Sequence, residues 1–213
     1  MYRLHYYPGN ANAAPHMLLE EIGAAHELVI VDRTVDAQKS ADYRRINPNG
    51  RIPTLEDEGL VLFEAAAIIL HLVDRHPEAG FAPAAGTPER SKFYQWLVFL
   101  TNSLQEELMV YQYPERLAGD DRRAEAVIRD GAERRASLFL DVVEDHLAAN
   151  GPFFLGRDPS AADLYLTMLA RWARPMAKPP RARPAVSRLL DAMTARPAVR
   201  RAYAAEGITD SIC

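Results

Sequence analysis

Apolar positions change their period near residue 80, and that change divides the chain. Residues 3–7 form a short aromatic-rich run of strand length, closed by the turn Pro8-Gly9. Residues 10–23 then carry Met17, Leu18 and Ile22 at helical spacing, with cap-type Asn10 and Asn12 ahead of them, Pro15 in the first turn and Gly23 as a stop. Residues 26–31 are rich in β-branched side chains and predict a second strand. Strand, helix, strand is a βαβ unit, with parallel strands and a right-handed crossover. After a polar stretch, residues 52–55 and 60–63 read as a hairpin around Glu56-Asp57-Glu58-Gly59, and a helix follows over 64–73.

From Pro88 onward no strand pattern appears. Residues 90–117 carry Phe93, Trp96, Leu97, Leu100, Leu104 and Leu108 at helical periods, and 124–150 do the same through Ile128, Ala132, Leu138, Val142 and Leu147. Shorter helices are expected over 160–172, 184–195 and 197–205. The expected fold class is α+β: a βαβ-ββα domain over 1–80, a Gly/Pro-punctuated linker over 81–88, and an all-helical domain over 89–213.

Composition narrows the function classes. At 213 residues, 48% hydrophobic and 25% charged, the chain is a globular protein large enough to need no disulfides. Its one cysteine, Cys213, cannot form an internal bridge, and six scattered histidines argue against a zinc site, so no metal is expected. A net charge of −4 argues against nucleic acid as a partner. The basic stretch between residues 171 and 201 is expected to be a solvated face. The longest apolar run, Ala65 to Leu70, falls far short of the ~20 residues a membrane span needs. With no apolar leader after Met1, the expectation is a cytoplasmic protein with no membrane partner.

Two segments carry more specific information. In Asn47-Pro48-Asn49-Gly50-Arg51-Ile52-Pro53-Thr54-Leu55, a proline stands at the mouth of a strand, where it gives up a ladder donor and where an X-Pro bond turns cis cheaply. A cis Ile52-Pro53 bond would leave the Ile52 N–H and C=O free to pair with an extended peptide ligand; an edge-strand proline with no ligand role is the alternative. In Asp158-Pro159-Ser160-Ala161-Ala162-Asp163, Ser160 and Asp163 have the spacing of a capping box, which is a folding signal.

In this order and spacing, together with the opening Tyr6-Tyr7-Pro8-Gly9…Pro15-His16 and an acidic residue at the next helix start, these features resemble the cytosolic glutathione transferase family over essentially the whole chain. The opening is most similar to the bacterial beta class. The resemblance implies a thioredoxin-like domain that binds glutathione, the co-substrate, and a helical domain that completes a pocket for a small apolar electrophile. It also implies a homodimer, a detoxification role, and chemistry that lowers the glutathione thiol pKa, since the thiolate is the nucleophile.

The chain departs from the beta pattern at two points. Ala11 stands where that class carries its cysteine, which removes mixed-disulfide chemistry. The flanking amides offer donors to sulfur instead, and the candidates rank Asn12, then Asn10, then Tyr6; cap and turn roles are the alternatives for the asparagines. The family pattern acidic-Ser is here Glu64-Ala65, keeping the acid for the glutathione amino group and losing one hydroxyl. Lys39, Arg51, Ile52 and Pro53 complete the expected glutathione contacts, and His16 is expected to pack behind the first turn. Gln105, Met109, Tyr111, Gln112 and Tyr113 are the candidates for the electrophile pocket, against a plain core reading. A non-catalytic glutathione-binding or scaffold protein, and a specialised glutathione-dependent isomerase, lyase or peroxidase, stay open beside the transferase.

Overall fold

The computed structural model describes residues 1–209, so Cys213 lies outside the described residues. The chain divides into two compact units: Met1–Ala82 with the segment that begins at Thr194, and Pro83–Met193.

In the first unit, β1 (Tyr2–Tyr6) is followed by α1 (Ala13–Ile22) and β2 (His26–Ile30). β1 and β2 run parallel with Leu4 opposite Leu28, as the βαβ pattern requires. Gly23 ends α1 in the left-handed conformation, φ 66°, returning its N–H to the Leu19 carbonyl. The polar stretch contains a helix that its lack of apolar period concealed: α2 (Ala41–Ile46), capped by Ser40, whose hydroxyl accepts from the Tyr43 N–H. β3 (Thr54–Asp57) and β4 (Leu60–Phe63) form the hairpin with a tighter turn than expected, Glu56 and Asp57 pairing with Val61 and Leu60, and the sheet order is β2-β1-β3-β4. α3 (Ala65–Arg75) packs against α1, and Leu4, Leu18, Leu55, Ile68 and Leu72 form a core with no solvent exposure.

The second unit is helical. α4 (Pro88–Phe99) passes into a π-helical turn, Leu100–Gln105, and then into α5 (Glu106–Gln112). Pro114 has no N–H to continue the ladder, so the helix expected over 90–117 ends early and α6 (Glu115–Ala118) stands alone. α7 (Arg122–Asn150) buries Ala132, Ala136, Leu140, Val143 and Leu147, whereas Leu138 and Val142 are 64% and 46% exposed. Ala132 and Leu147 of the expected stripe are in the core, but Leu140 and Val143 are buried in place of Leu138 and Val142.

α8 (Ala161–Trp172) is buried from Ala161 to Ala170, as befits a central helix. Its start is the expected capping box: Asp163 accepts from the Ser160 N–H at 2.7 Å, the Ser160 hydroxyl at 2.8 Å and the Phe154 N–H at 3.0 Å. Burial pushes the Asp163 carboxyl up to about 6 in spite of those three donors.

Within α9 (Pro184–Ala195) and the turn before it, the basic stretch departs from a solvated face. Arg183 is 1% exposed, held by Asp141, the Ser137 hydroxyl and carbonyl, and the carbonyls of Lys178 and Pro179. α10 (Pro197–Ala205) groups with the first unit rather than with the helical one. It packs on α1, where Arg196 pairs with both oxygens of Glu21 and Arg201 with Glu20.

Candidate glutathione site

The turn between β1 and α1 is built almost wholly from polar contacts. Asn12, ranked first as a donor to sulfur, has no solvent exposure. Its Oδ1 accepts from the Tyr7 N–H at 3.2 Å, and its Nδ2 donates to Glu206 Oε1 at 2.8 Å. Both ends of the carboxamide are engaged inward on a side chain with no solvent exposure, so the structure places Asn12 as the residue that fixes the turn rather than as an open donor.

Asn10 is half-buried, with Nδ2 donating to the Pro8 carbonyl at 3.1 Å and Oδ1 accepting from Arg33. One Nδ2 hydrogen stays uncommitted. Among the described residues no hydrogen bond engages the half-buried Ala11 N–H, which lies just ahead of the first turn of α1. Tyr6, at the end of β1, is half-buried and makes no side-chain hydrogen bond among the described residues.

Sequence reasoning missed Glu206. This carboxylate, on a residue only 5% exposed, receives the Gly9 N–H at 2.9 Å, Asn12 Nδ2 at 2.8 Å and His16 Nδ1 at 2.9 Å. It therefore ties both ends of the turn to α1. No local signal announces it, because its partners lie at the other end of the chain.

The loop between α2 and β3 is organised in the opposite sense. Buried Asn47 donates to the Arg51 carbonyl at 2.8 Å and to Thr54 Oγ1 at 3.1 Å, and accepts from the Asn49 N–H at 3.1 Å. The Tyr43 hydroxyl also donates to the Arg51 carbonyl, at 2.8 Å, and burial raises its phenol above the ordinary value. Gly50 is required here: it sits at φ 59°, and a Cβ would stand 3.0 Å from the Gln38 carbonyl oxygen. Between these anchors the Ile52-Pro53 bond is cis. Pro53 is buried, while the N–H and C=O of half-buried Ile52 have no partner among the described residues.

Glu64 precedes α3 with φ 72° and ψ 116°, an uncommon backbone region for a residue with a Cβ, and its side chain is exposed and unbonded among the described residues. Ala65 behind it is buried. The Lys39 ammonium is 3.0 Å from Asp36, both exposed, and hydrogen bonding to Lys39 holds the Asp36 carboxyl below its usual value. The exposed Arg51 guanidinium has no partner among the described residues.

In the helical unit, two of the candidate pocket residues, Gln105 and Gln112, are committed to residues of α8. Gln105 lies in the π-helical turn and accepts from the Tyr165 hydroxyl. Gln112 donates to the Trp172 carbonyl at 2.9 Å and lines a surface cleft with Arg171, Trp172, Arg174 and Pro175. Tyr111 is buried, in keeping with the core reading, and burial raises its phenol pKa. Tyr113 carries the Arg116 guanidinium 4.0 Å above its ring, and Met109 is half-buried.

Family models of the glutathione S-transferase N-terminal and C-terminal domains match residues 2–74 and 125–205. The chain belongs to the glutathione S-transferase family. It is 33% identical to glutathione S-transferase 3 of Zea mays over 195 residues, covering 88% of this chain and 86% of that protein. A glutathione transferase from Methylococcus capsulatus superposes with a TM-score of 0.84 at 34% identity, over 98% of this chain and all of that one. A glutathione transferase homologue from Sulfitobacter, solved with bound glutathione, superposes with a TM-score of 0.88 at 26% identity, covering 98% of this chain and 99% of that one. The transferase fold expected from the sequence, a four-stranded mixed sheet followed by helices, is the one observed. No helix among the described residues is long and apolar enough to cross a membrane.

Proposed function

We propose that this protein is a glutathione transferase that binds glutathione on its first unit and presents the thiolate to a small apolar electrophile. The observation that carries the reading is the open strand position at Ile52. Its free N–H and C=O match the backbone of an extended tripeptide, and the surrounding hydrogen bonds of Asn47 and Tyr43 keep that edge in place. Glu64, exposed and unpaired among the described residues, takes the γ-glutamyl ammonium. The α3 N-terminus beside Ala65 receives the γ-glutamyl carboxylate, with Arg51 and Lys39 available to the glycyl end.

At sulfur, the proposed donors are the Ala11 N–H and the remaining Asn10 amide hydrogen, with Tyr6 as the neighbouring alternative. Two hydrogen bonds at the positive end of α1 favour thiolate over thiol, the same physics that lowers cysteine pKa values at helix N-termini. The described side chains of this turn include no cysteine, so conjugation by glutathione's own sulfur is the chemistry proposed.

A second reading, a glutathione-binding protein without turnover, is favoured by one observation: the amide best placed in sequence, Asn12, is committed to Glu206 and Tyr7. The proposed assembly is a homodimer. Tyr94 and Val98 on α4 and Leu138 and Val142 on α7 are exposed apolar residues at i, i+4 spacing, on helices that meet through Phe99 and Phe139.

The test is calorimetric glutathione binding combined with a conjugation assay on an aryl halide. Binding with turnover supports the transferase, and binding without turnover supports the second reading. Absence of binding refutes both.

A further inference from the structure

Three side chains of the first unit converge in a way that the glutathione reading does not use. His16 and Glu20 are four residues apart on α1 and share a face; His26 opens β2. One ligand atom from each lies within 4.8 Å of the other two. The imidazoles of His16 and His26 meet edge to face with centroids 5.5 Å apart, and His26 Nε2 stands 3.8 Å from Glu20 Oε1.

The outer contacts decide what these atoms are. His16 Nδ1 faces Glu206 Oε1 at 2.9 Å and His26 Nδ1 faces the Ala24 carbonyl at 2.9 Å. A carbonyl accepts only, and so does a carboxylate, so in the neutral imidazoles Nδ1 carries the proton and Nε2 the lone pair. His16 has no solvent exposure and its Nε2 has no hydrogen-bond partner among the described residues, an arrangement buried polar groups ordinarily avoid. Glu20 gives Oε2 to Arg201 at 2.6 Å and turns Oε1 toward His26. With both imidazoles neutral, three acceptors thus face one another with no donor between them among the described residues. Each is oriented from behind by a carboxylate, a carbonyl or a guanidinium, the outer contacts that hold metal ligands in place.

We propose that His16 Nε2, His26 Nε2 and one oxygen of Glu20 form a binding site for a divalent transition-metal ion of the zinc type, with water in the fourth position. Two imidazoles and a carboxylate suit zinc, whereas calcium and magnesium take oxygen ligands. Tetrahedral bonds of ~2.0–2.2 Å bring neighbouring ligand atoms to about 3.3–3.5 Å, so His26 and Glu20 need close by only a few tenths of an ångström. Their side chains are 12% and 20% exposed, which gives the ion a route from solvent to the buried His16 nitrogen. Spacing along the sequence gives no sign of this cluster, because the turn after α1 brings His26 back beside His16. Bound metal would join α1 to β2 and, through Arg201 and Glu206, strengthen the hold of α10.

The test is a zinc(II) titration of the metal-free full chain in competition with a chromophoric chelator, accompanied by thermal unfolding. One site per chain is expected, with a rise in the unfolding midpoint at saturating zinc. His26→Ala and Glu20→Gln should each weaken zinc binding at least about tenfold. A His71→Asn/His76→Gln/Cys213→Ser variant, which removes other zinc-ligand side chains of the chain, should bind as the parent does. Absence of stoichiometric binding, undiminished affinity in both His26→Ala and Glu20→Gln, or loss of the site in the triple variant would each overturn the assignment.

Discussion

The two loops proposed to hold glutathione spend their polar groups in contrasting ways. The β1–α1 turn is closed: Gly9, Asn12 and His16 all bond to the buried Glu206, and Asn10 is held by Pro8 and Arg33. The α2–β3 loop is open: Asn47 and Tyr43 secure its Arg51 carbonyl from behind, while both polar groups of Ile52 stay unpaired among the described residues. The closed turn has the features of a rigid frame for small backbone donors, and the open loop those of a strand edge awaiting a partner. In this account, affinity comes from the open loop and Glu64, and sulfur activation from the few donors the closed turn leaves over.

Substitutions should separate these roles. The largest effect is expected for Asn12→Ala, which strands the Tyr7 N–H and removes one donor from a buried carboxylate. Urea unfolding should show a loss of about 2–4 kcal/mol. An unchanged midpoint would mean that the turn is not the closed frame described. Next comes Glu64→Ala. Loss of a charge-assisted contact to the glutathione ammonium, worth about 1.5–3 kcal/mol, should weaken binding by roughly 10- to 150-fold in calorimetry. Turnover at saturating glutathione should be retained.

Asn10→Ala should act in the opposite sense, lowering kcat about tenfold while the dissociation constant for glutathione moves little. If Tyr6→Phe produces that signature and Asn10→Ala does not, the sulfur donor is the tyrosine. The smallest effect is expected at Lys39, whose exposed pairing with Asp36 leaves it weakly committed. Lys39→Ala should change affinity by at most about threefold, and less as salt is raised.

The same contrast explains what the sequence made readable. The cis-proline segment, the hairpin and the Ser160-Asp163 capping box are local patterns, each with its partners within a few residues, and each appears where the spacing puts it. The α7 core stripe misled in part, because Leu138 and Val142 have helical spacing yet are exposed, while Leu140 and Val143 are buried beside Ala132 and Leu147. Asn12 misled for a different reason: whether an amide at a helix start points out or in depended on Glu206, near the far end of the chain. The convergence of His16, Glu20 and His26 was hidden in the same way, since helix spacing relates the first two but only the fold brings in the third.

The most direct test of the central claim is an ultraviolet difference titration of bound glutathione against pH, following thiolate absorbance. A thiolate signal that persists well below the pKa of free glutathione is the predicted result and would mean that the closed turn activates sulfur. Glutathione bound with a thiol that titrates as it does in water would contradict the account.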